Sequence, residues 1–304
     1  MCRCGRRVCL MRVFLGVYVL KGSSFLKIHY LCTDKRKRNT YMNNKSTCAD
    51  ARPLIMITND DGVEAAGLRA LADAVMPLGD VIIVAPLRPQ SGQSSSLTIN
   101  SPLRIRRHAD YGEAQVYSVS GTPVDCVKLG LHAVMPRRPD FLFSGINHGS
   151  NSGNAVTYSG TMGAVIEGCT NGIVSTGFSL LHHSASADFS LSARQVADLA
   201  REIVTNGLPD FTSLNINIPA HIVPKGVRVC RAARGHWSEE FERFIDPMQN
   251  PFYWLTGRFV NEEPDATDTD EYWLSQGYTS IVPVIPDMTR MDMVAPLAAR
   301  FDDK

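Results

Sequence analysis

Leu54-Ile55-Met56-Ile57-Thr58-Asn59-Asp60-Asp61-Gly62 joins an apolar run to two adjacent carboxylates and a glycine. A run this short and this apolar reads as a strand buried on both faces, the central strand type of an α/β sheet. Ligands in such sheets bind at the carboxyl ends of the strands, which is where Asp60 and Asp61 fall. Two neighbouring acids repel unless a proton or a cation lies between them, so the pair points to a hard metal ion. Asn-Asp-Asp-Gly is also good turn chemistry, and these residues alone leave an acidic turn open.

Outward from this stretch the chain alternates. Residues 65–76 carry Leu68, Leu71, Ala72 and Val75 at helical spacing, with Pro77 to end the helix. Residues 80–85 form a second apolar strand, stopped by Pro86, which completes a βαβ unit. Short strands are expected at 97–99 and 116–119. Thr122-Pro123 opens a helix through Val124, Val127 and Leu131, with proline at its first position. Residues 140–143 read as a strand followed by a long Gly/Asn/Ser loop over 144–159. A helix over 161–170, a strand over 173–176, a helix over 193–204 and a strand over 213–218 follow. Strands and helices alternating over 53–219 imply an α/β layered fold with a mainly parallel sheet.

From Val223 the helical periodicity fades and aromatics accumulate at Trp237, Phe241, Phe244, Phe252, Tyr253 and Trp254. A strand-like run spans 278–284. The region reads as an extended arm or hairpin whose aromatics either close the core or form a subunit interface. The expected organisation is therefore a leader at 1–51, a core at 52–222 and an arm at 223–304.

At 304 residues, 44% hydrophobic and 20% charged, the composition is that of an ordinary globular protein. The net charge of +1 is unevenly spread. Of 31 basic and 30 acidic residues, 11 and 2 lie in the first 50, which leaves 20 and 28 for the body. An acidic body argues against a nucleic-acid-binding surface. The body holds only Cys126, Cys169 and Cys230, an odd and scattered set that suits a reducing compartment such as the cytoplasm. The basic leader is compatible with a transit peptide, and its apolar run at 10–20 is too short to span a membrane. We read translation as starting at Met42, with residues 1–51 outside the fold.

Three polar loops follow apolar strands, at 58–62, 88–96 and 144–159, and in a parallel sheet they share one edge. The first supplies carboxylates, the second hydroxyls, the third amide oxygens. The third leads through Tyr158-Ser159-Gly160-Thr161 into a helix N-terminus, a ready site for phosphate. Oxygen donors of these kinds suit Mg²⁺, Mn²⁺ or Ca²⁺ rather than zinc or copper. A hard cation beside an anion-binding helix end points to phosphate ester chemistry. Taken singly, each loop is better read as a Ser/Gly/Asn linker; three on one sheet edge weigh against that. There is no P-loop lysine motif and no dinucleotide-binding glycine fingerprint.

Together these residues resemble the SurE family, the stationary-phase survival proteins that are 5′-nucleotidases. The resemblance rests on Ile57 to Gly62, Val84-Ala85-Pro86 with Gln90-Ser91-Gly92, Ser144 to Asn151, and Tyr158 to Thr161. Gly121-Thr122-Pro123, Leu214 to Pro219, Tyr253-Trp254-Leu255 and Gly277-Tyr278 match in order, so it covers roughly 53–285. It implies a Rossmann-like three-layer α/β core and a C-terminal arm exchanged between subunits in a homodimer or homotetramer. It implies one divalent ion per subunit, Mg²⁺ or Mn²⁺, held by Asp60, Asp61, Ser91 and Asn147. Asp60, Asp61 and Asn147 would be catalytic. Asn151, Ser159, Gly160 and Thr161 would hold phosphate, with Asn59, Gly92 and Gly145 as further substrate contacts. The implied reaction is hydrolysis of nucleoside 5′-monophosphates, with 3′-monophosphates and polyphosphate as further substrates. Two features depart from the pattern: Asp246-Pro247 continues as Met248-Gln249-Asn250 instead of Arg-Gly, and the basic leader has no counterpart. His148 stands where the family varies and is not assigned as the general base. The rival readings are a nucleotide-binding module without chemistry and a Rossmann oxidoreductase, which lacks its fingerprint.

Overall fold

A computed structural model describes residues 52–184 and 187–302. The leader, with the readings made of it, lies outside the described residues. β1 (Leu54–Thr58) is fully buried, and its alternation divides the core between two faces. Ile55 and Ile57 pack into one apolar cluster, Leu54 and Met56 into the other. The strand is therefore covered on both sides, as its uniform apolarity requires.

The elements that follow are α1 (Ala66–Val75), β2 (Asp80–Pro86), β3 (Ile105–Arg107), β4 (Gln115–Val119), α2 (Pro123–Ala133) and β5 (Phe141–His148). Next come α3 (Gly160–Thr170), β6 (Val174–Leu180), α4 (Ser190–Asn206) and β7 (Ser213–Ile218). The chain ends with β8 (Val227–Val229), β9 (Gly235–Ser238), β10 (Phe241–Ile245), β11 (Pro251–Leu255), β12 (Arg258–Asn261), α5 (Asp270–Ser275), β13 (Thr279–Val284) and α6 (Met291–Phe301).

The central sheet runs β3-β4-β2-β1-β5-β6-β7-β13-β8. From β4 to β7 every pairing is parallel. Buried residues of α1 and α4 join one cluster and those of α2 and α3 the other, which gives three layers. Thr122 caps α2 in a reciprocal capping box with Asp125, and Pro123 sits in its first turn. The chain leaves β1 toward β2 and β4, then returns to β5 on the other side of β1. The crevice beyond the carboxyl ends of β1 and β5 is thus the switch point at which open α/β sheets bind ligands.

Two expectations are corrected. Residues 97–99 are not a strand: Thr98 N–H is given to the Asp125 carboxylate at 3.2 Å, and the edge strand is β3 instead. The third loop starts later than expected, because β5 continues to His148, pairing Asn147 with Ser179 after a register shift. The boundary expected at 222/223 falls between β7 and β8. β13 lies antiparallel beside β7 and β8 lies parallel to β13, so both belong to the central sheet. The extension proper is the β9–β12 pair carrying the β10–β11 hairpin.

Core closure is not the task of the hairpin aromatics, since every residue of β10 and β11 is exposed. The Asp246-Pro247-Met248-Gln249-Asn250 departure forms the hairpin turn, where Asp246 Oδ1 accepts the N–H groups of Met248 and Asn250, each at 2.8 Å. Helix α6 was not foreseen. Pro296 interrupts its sequence pattern and none of its residues is buried, so no core face announces it.

Candidate active site

The first loop is shaped by Asn59, whose Nδ2 donates to Gly62 O at 3.0 Å while Oδ1 accepts Gly62 N–H at 3.2 Å. Gly62 has φ +100°, a conformation that favours glycine. Within this turn Asp60 is buried and accepts the Thr161 hydroxyl at 2.6 Å. Burial pushes the Asp60 carboxyl up to about 6; the Thr161 hydroxyl opposes the rise and the charge of Asp61 adds to it. The groups acting on Asp60 are hydroxyl, amide and another acid, none of them cationic.

Helix α3 begins against this carboxylate. A Cβ on Gly160 would stand 2.8 Å from Asp60 Cβ, so a glycine is needed for the helix to start so close. Ser159 caps α3, its Oγ accepting Met162 N–H at 3.1 Å. Two of the expected phosphate-binding hydroxyls therefore already have partners: Ser159 the helix, Thr161 the aspartate.

Asp61 is fixed from β5. Its Oδ2 meets His148 Nδ1 at 3.0 Å and accepts the His148 backbone N–H at 3.2 Å. Nδ1 donates to the carboxylate, and Nε2 is buried without a hydrogen-bond partner among the described residues. The ring also stands edge-on to Phe189, with centroids 4.9 Å apart. Asn147 gives its Nδ2 to Gly149 O at 2.9 Å, which leaves Oδ1 as its available ligand atom. Gly145 serves the sheet, because a Cβ there would come within 2.2 Å of Phe178 O.

The second loop is tied to the first by Gln90 N–H donating to Asp60 O at 2.7 Å. Ser94 anchors it to the third loop through Tyr158 O at 3.1 Å and Thr157 O at 2.6 Å. Between these ties Ser91 and Gly92 stay exposed, and Ser91 makes no hydrogen bond among the described residues. Asn151 sits in a buried polar network. Its N–H donates to Asn217 Oδ1 at 2.8 Å, its Nδ2 to Ser179 Oγ at 2.7 Å, and its carbonyl accepts from Asn215 Nδ2 at 2.8 Å.

Sequence reasoning missed several of these residues. Ser213, Asn215 and Asn217 alternate with apolar residues, a pattern that normally marks a solvent-facing strand, yet all three are buried. Polar residues on an interior strand were the available signal. His148 as the partner of Asp61 had no local signal, because the contact spans 87 residues.

The donor set fits a hard cation. Two carboxylates and an amide oxygen share the switch point, a hydroxyl is tethered beside them, and the buried carboxylate lacks a positive neighbour. Among the described residues no group of three or more His, Cys, Asp or Glu gathers at a metal-binding geometry. An oxygen set that includes amide and hydroxyl donors needs only two carboxylates.

The family model described as Survival protein SurE matches residues 55–239, more than half of the chain. The chain belongs to the SurE family. A SurE relative from Phocaeicola vulgatus, named 5′-nucleotidase SurE, is 45% identical over 246 residues, covering 81% of this chain and 96% of the relative. One of the same name from Christiangramia forsetii is 45% identical over 255 residues, with 82% and 96% covered. The crystal structure of the SurE protein from Aquifex aeolicus superposes with a TM-score of 0.70 at 34% identity. It covers 82% of this chain and 100% of that one, consistent with the α/β architecture described above.

Proposed function

We propose that this SurE chain is a metal-dependent 5′-nucleotidase that hydrolyses nucleoside 5′-monophosphates to nucleoside and phosphate. The observation that carries the reading is the pair Asp60–Asp61 at the β1/β5 switch point, with the Asp60 carboxyl raised to about 6 against a helix N-terminus. The names of the relatives agree with it.

Asp60, Asp61, Asn147 and Ser91 would hold one Mg²⁺ or Mn²⁺ per subunit. Such an ion supplies Lewis acidity toward phosphoryl and water oxygens. The Thr161 hydroxyl and His148 each fix one aspartate oxygen, so the other oxygens are presented without searching rotamers. Asn147, Asn151 and the Ser159-Gly160-Thr161 helix end would oppose the charge that builds on the phosphoryl oxygens, with Asn59, Gly92 and Gly145 shaping the loops around them. A free carboxylate oxygen orients the attacking water. The water oxygen bonds to phosphorus as the water gives up a proton, the P–O ester bond breaks, and the leaving oxygen takes up that proton to depart as the nucleoside hydroxyl.

Nucleoside 3′-monophosphates and polyphosphate are the further substrates, and the exposed β10–β11 hairpin is the contact for a homodimer or homotetramer. The hairpin's exposed Phe241, Tyr253, Trp254 and Leu255 support that assignment. The acidic body gives no footprint for nucleic acid. No described helix is long and apolar enough to cross a membrane. Free Cys126, Cys169 and Cys230 suit the reducing cytoplasm.

Phosphate release from nucleoside 5′- and 3′-monophosphates, with EDTA and then with Mg²⁺ or Mn²⁺ restored, tests the reading. Release that follows the metal is expected. Folded protein that binds nucleotide but releases no phosphate with any ion would instead favour the binding module.

A further inference from the structure

Asp270 is fully buried, and nothing in the proposed chemistry uses it. It opens α5 directly behind the N-cap Thr269, a place where an acid commonly serves its own helix. Here its work lies mostly elsewhere. Oδ2 accepts Gly153 N–H at 2.8 Å, across 117 residues of chain. Oδ1 accepts Ala233 N–H at 2.8 Å, across 37 residues, and Glu271 N–H at 2.8 Å. Glu271 in turn accepts the Ser152 hydroxyl.

The two distant donors belong to functionally different segments. Gly153 starts the short helical turn Gly153–Tyr158 that leads straight to the Ser159 cap of α3. It also closes the polar stretch that begins at Asn147 and passes through Asn151. Ala233 lies at the root of the arm, two residues before β9, and Gly235 O accepts from Asn154 Nδ2. One buried carboxylate thus clasps the third site loop, the arm root and α5 by charge-assisted hydrogen bonds, which are stronger than neutral ones.

We propose that Asp270 is a positioning residue for phosphate ester binding, holding Gly153 so that Asn151 and the α3 N-terminus keep their places. The inference rests on the nucleotidase reading. Asp270→Asn in the full chain keeps the size but turns one acceptor into an NH₂ donor facing a backbone N–H. Its target is the phosphate side of the site, so Asp60 and Asp61, in the turn that follows β1, should be spared. With Mn²⁺ and a nucleoside 5′-monophosphate, KM should rise about tenfold or more while kcat changes about threefold or less. Mn²⁺ binding without substrate, followed by electron paramagnetic resonance, should stay near that of the unaltered chain.

Arg231→Gln is the matched control. It removes the Arg231 pairs with Glu263 and Asp268 at the arm root without touching Gly153, and should leave KM within about twofold. A KM for Asp270→Asn within about twofold of the unaltered chain overturns the proposal. An equal KM rise in Arg231→Gln also overturns it, because general loosening of the arm root would then be the cause. Should Asp270→Asn not fold, Glu271→Ala, which removes the acceptor of the Ser152 hydroxyl beside Gly153, decides in its place: a raised KM supports the clasp and an unchanged one refutes it. An unaltered chain that releases no phosphate with any divalent ion overturns the nucleotidase reading itself, before any variant is compared.

Discussion

Replacing Asp60 by Asn removes a negative charge from a position that is only 4% exposed. The carboxyl rises from 3.8 to about 6, chiefly through burial, and that value already includes the opposing Thr161 hydrogen bonds. A shift of about two units corresponds to ~3 kcal/mol. Because the folded-state pKa is raised, the folded chain binds the proton more tightly than the unfolded one. The associated stability is fully present below 3.8 and is lost as pH rises through about 6. In EDTA at pH 8, the unaltered chain therefore carries a penalty of ~3 kcal/mol that Asp60→Asn lacks. Urea unfolding in EDTA should show the variant ~2–3 kcal/mol more stable at pH 8, with the difference closing as pH falls toward about 4. Mn²⁺ at about a thousand times its Kd should reverse the order, because it stabilises by ~4.1 kcal/mol, more than the ~3 kcal/mol penalty, and the variant has lost a ligand. Phosphate release by the variant should be abolished. A variant less stable than the unaltered chain in EDTA at pH 8, or equal stabilisation of both by Mn²⁺, would refute the reasoning.

Three further outcomes follow from other contacts. His148→Ala removes both the imidazole on Asp61 Oδ2 and the Phe189 edge contact; turnover should fall about 10- to 100-fold, and an unchanged kcat would deny His148 its orienting role. Gly160→Ala drives a Cβ to 2.8 Å from Asp60 Cβ and should cost at least about tenfold in kcat/KM while circular dichroism stays the same. Trp254→Ala acts at a 65% exposed hairpin position, so unfolding should change by less than ~0.5 kcal/mol, whereas sedimentation should report a smaller oligomer.

Much of the site was legible because it is written locally. Asp60 and Asp61 close an apolar strand, Thr122-Pro123 opens a helix and Ser159-Gly160-Thr161 begins another; each depends on neighbours within a few residues. The misreadings share one cause. Leu97 and Ile99 are apolar enough for a strand, but Asp125 takes the intervening N–H from α2. Asn147 and His148 look like loop residues until Ser179 and Leu180 pair with them.

The order of strands and helices through β7, the two-sided burial of β1 and the pair of carboxylates at its end were determined by the sequence alone. Apolar periodicity and turn chemistry act over short distances, and they state which residues face inward. Only the tertiary structure decided that residues 279–284 return to lie beside β7, that His148 orients Asp61, and that Asp270 clasps Gly153. Those contacts join residues 60 or more apart, and their energies come from hydrogen bonds in places that exist only once the sheet has closed. No local pattern encodes them, because a buried carboxylate and a surface one are spelled alike.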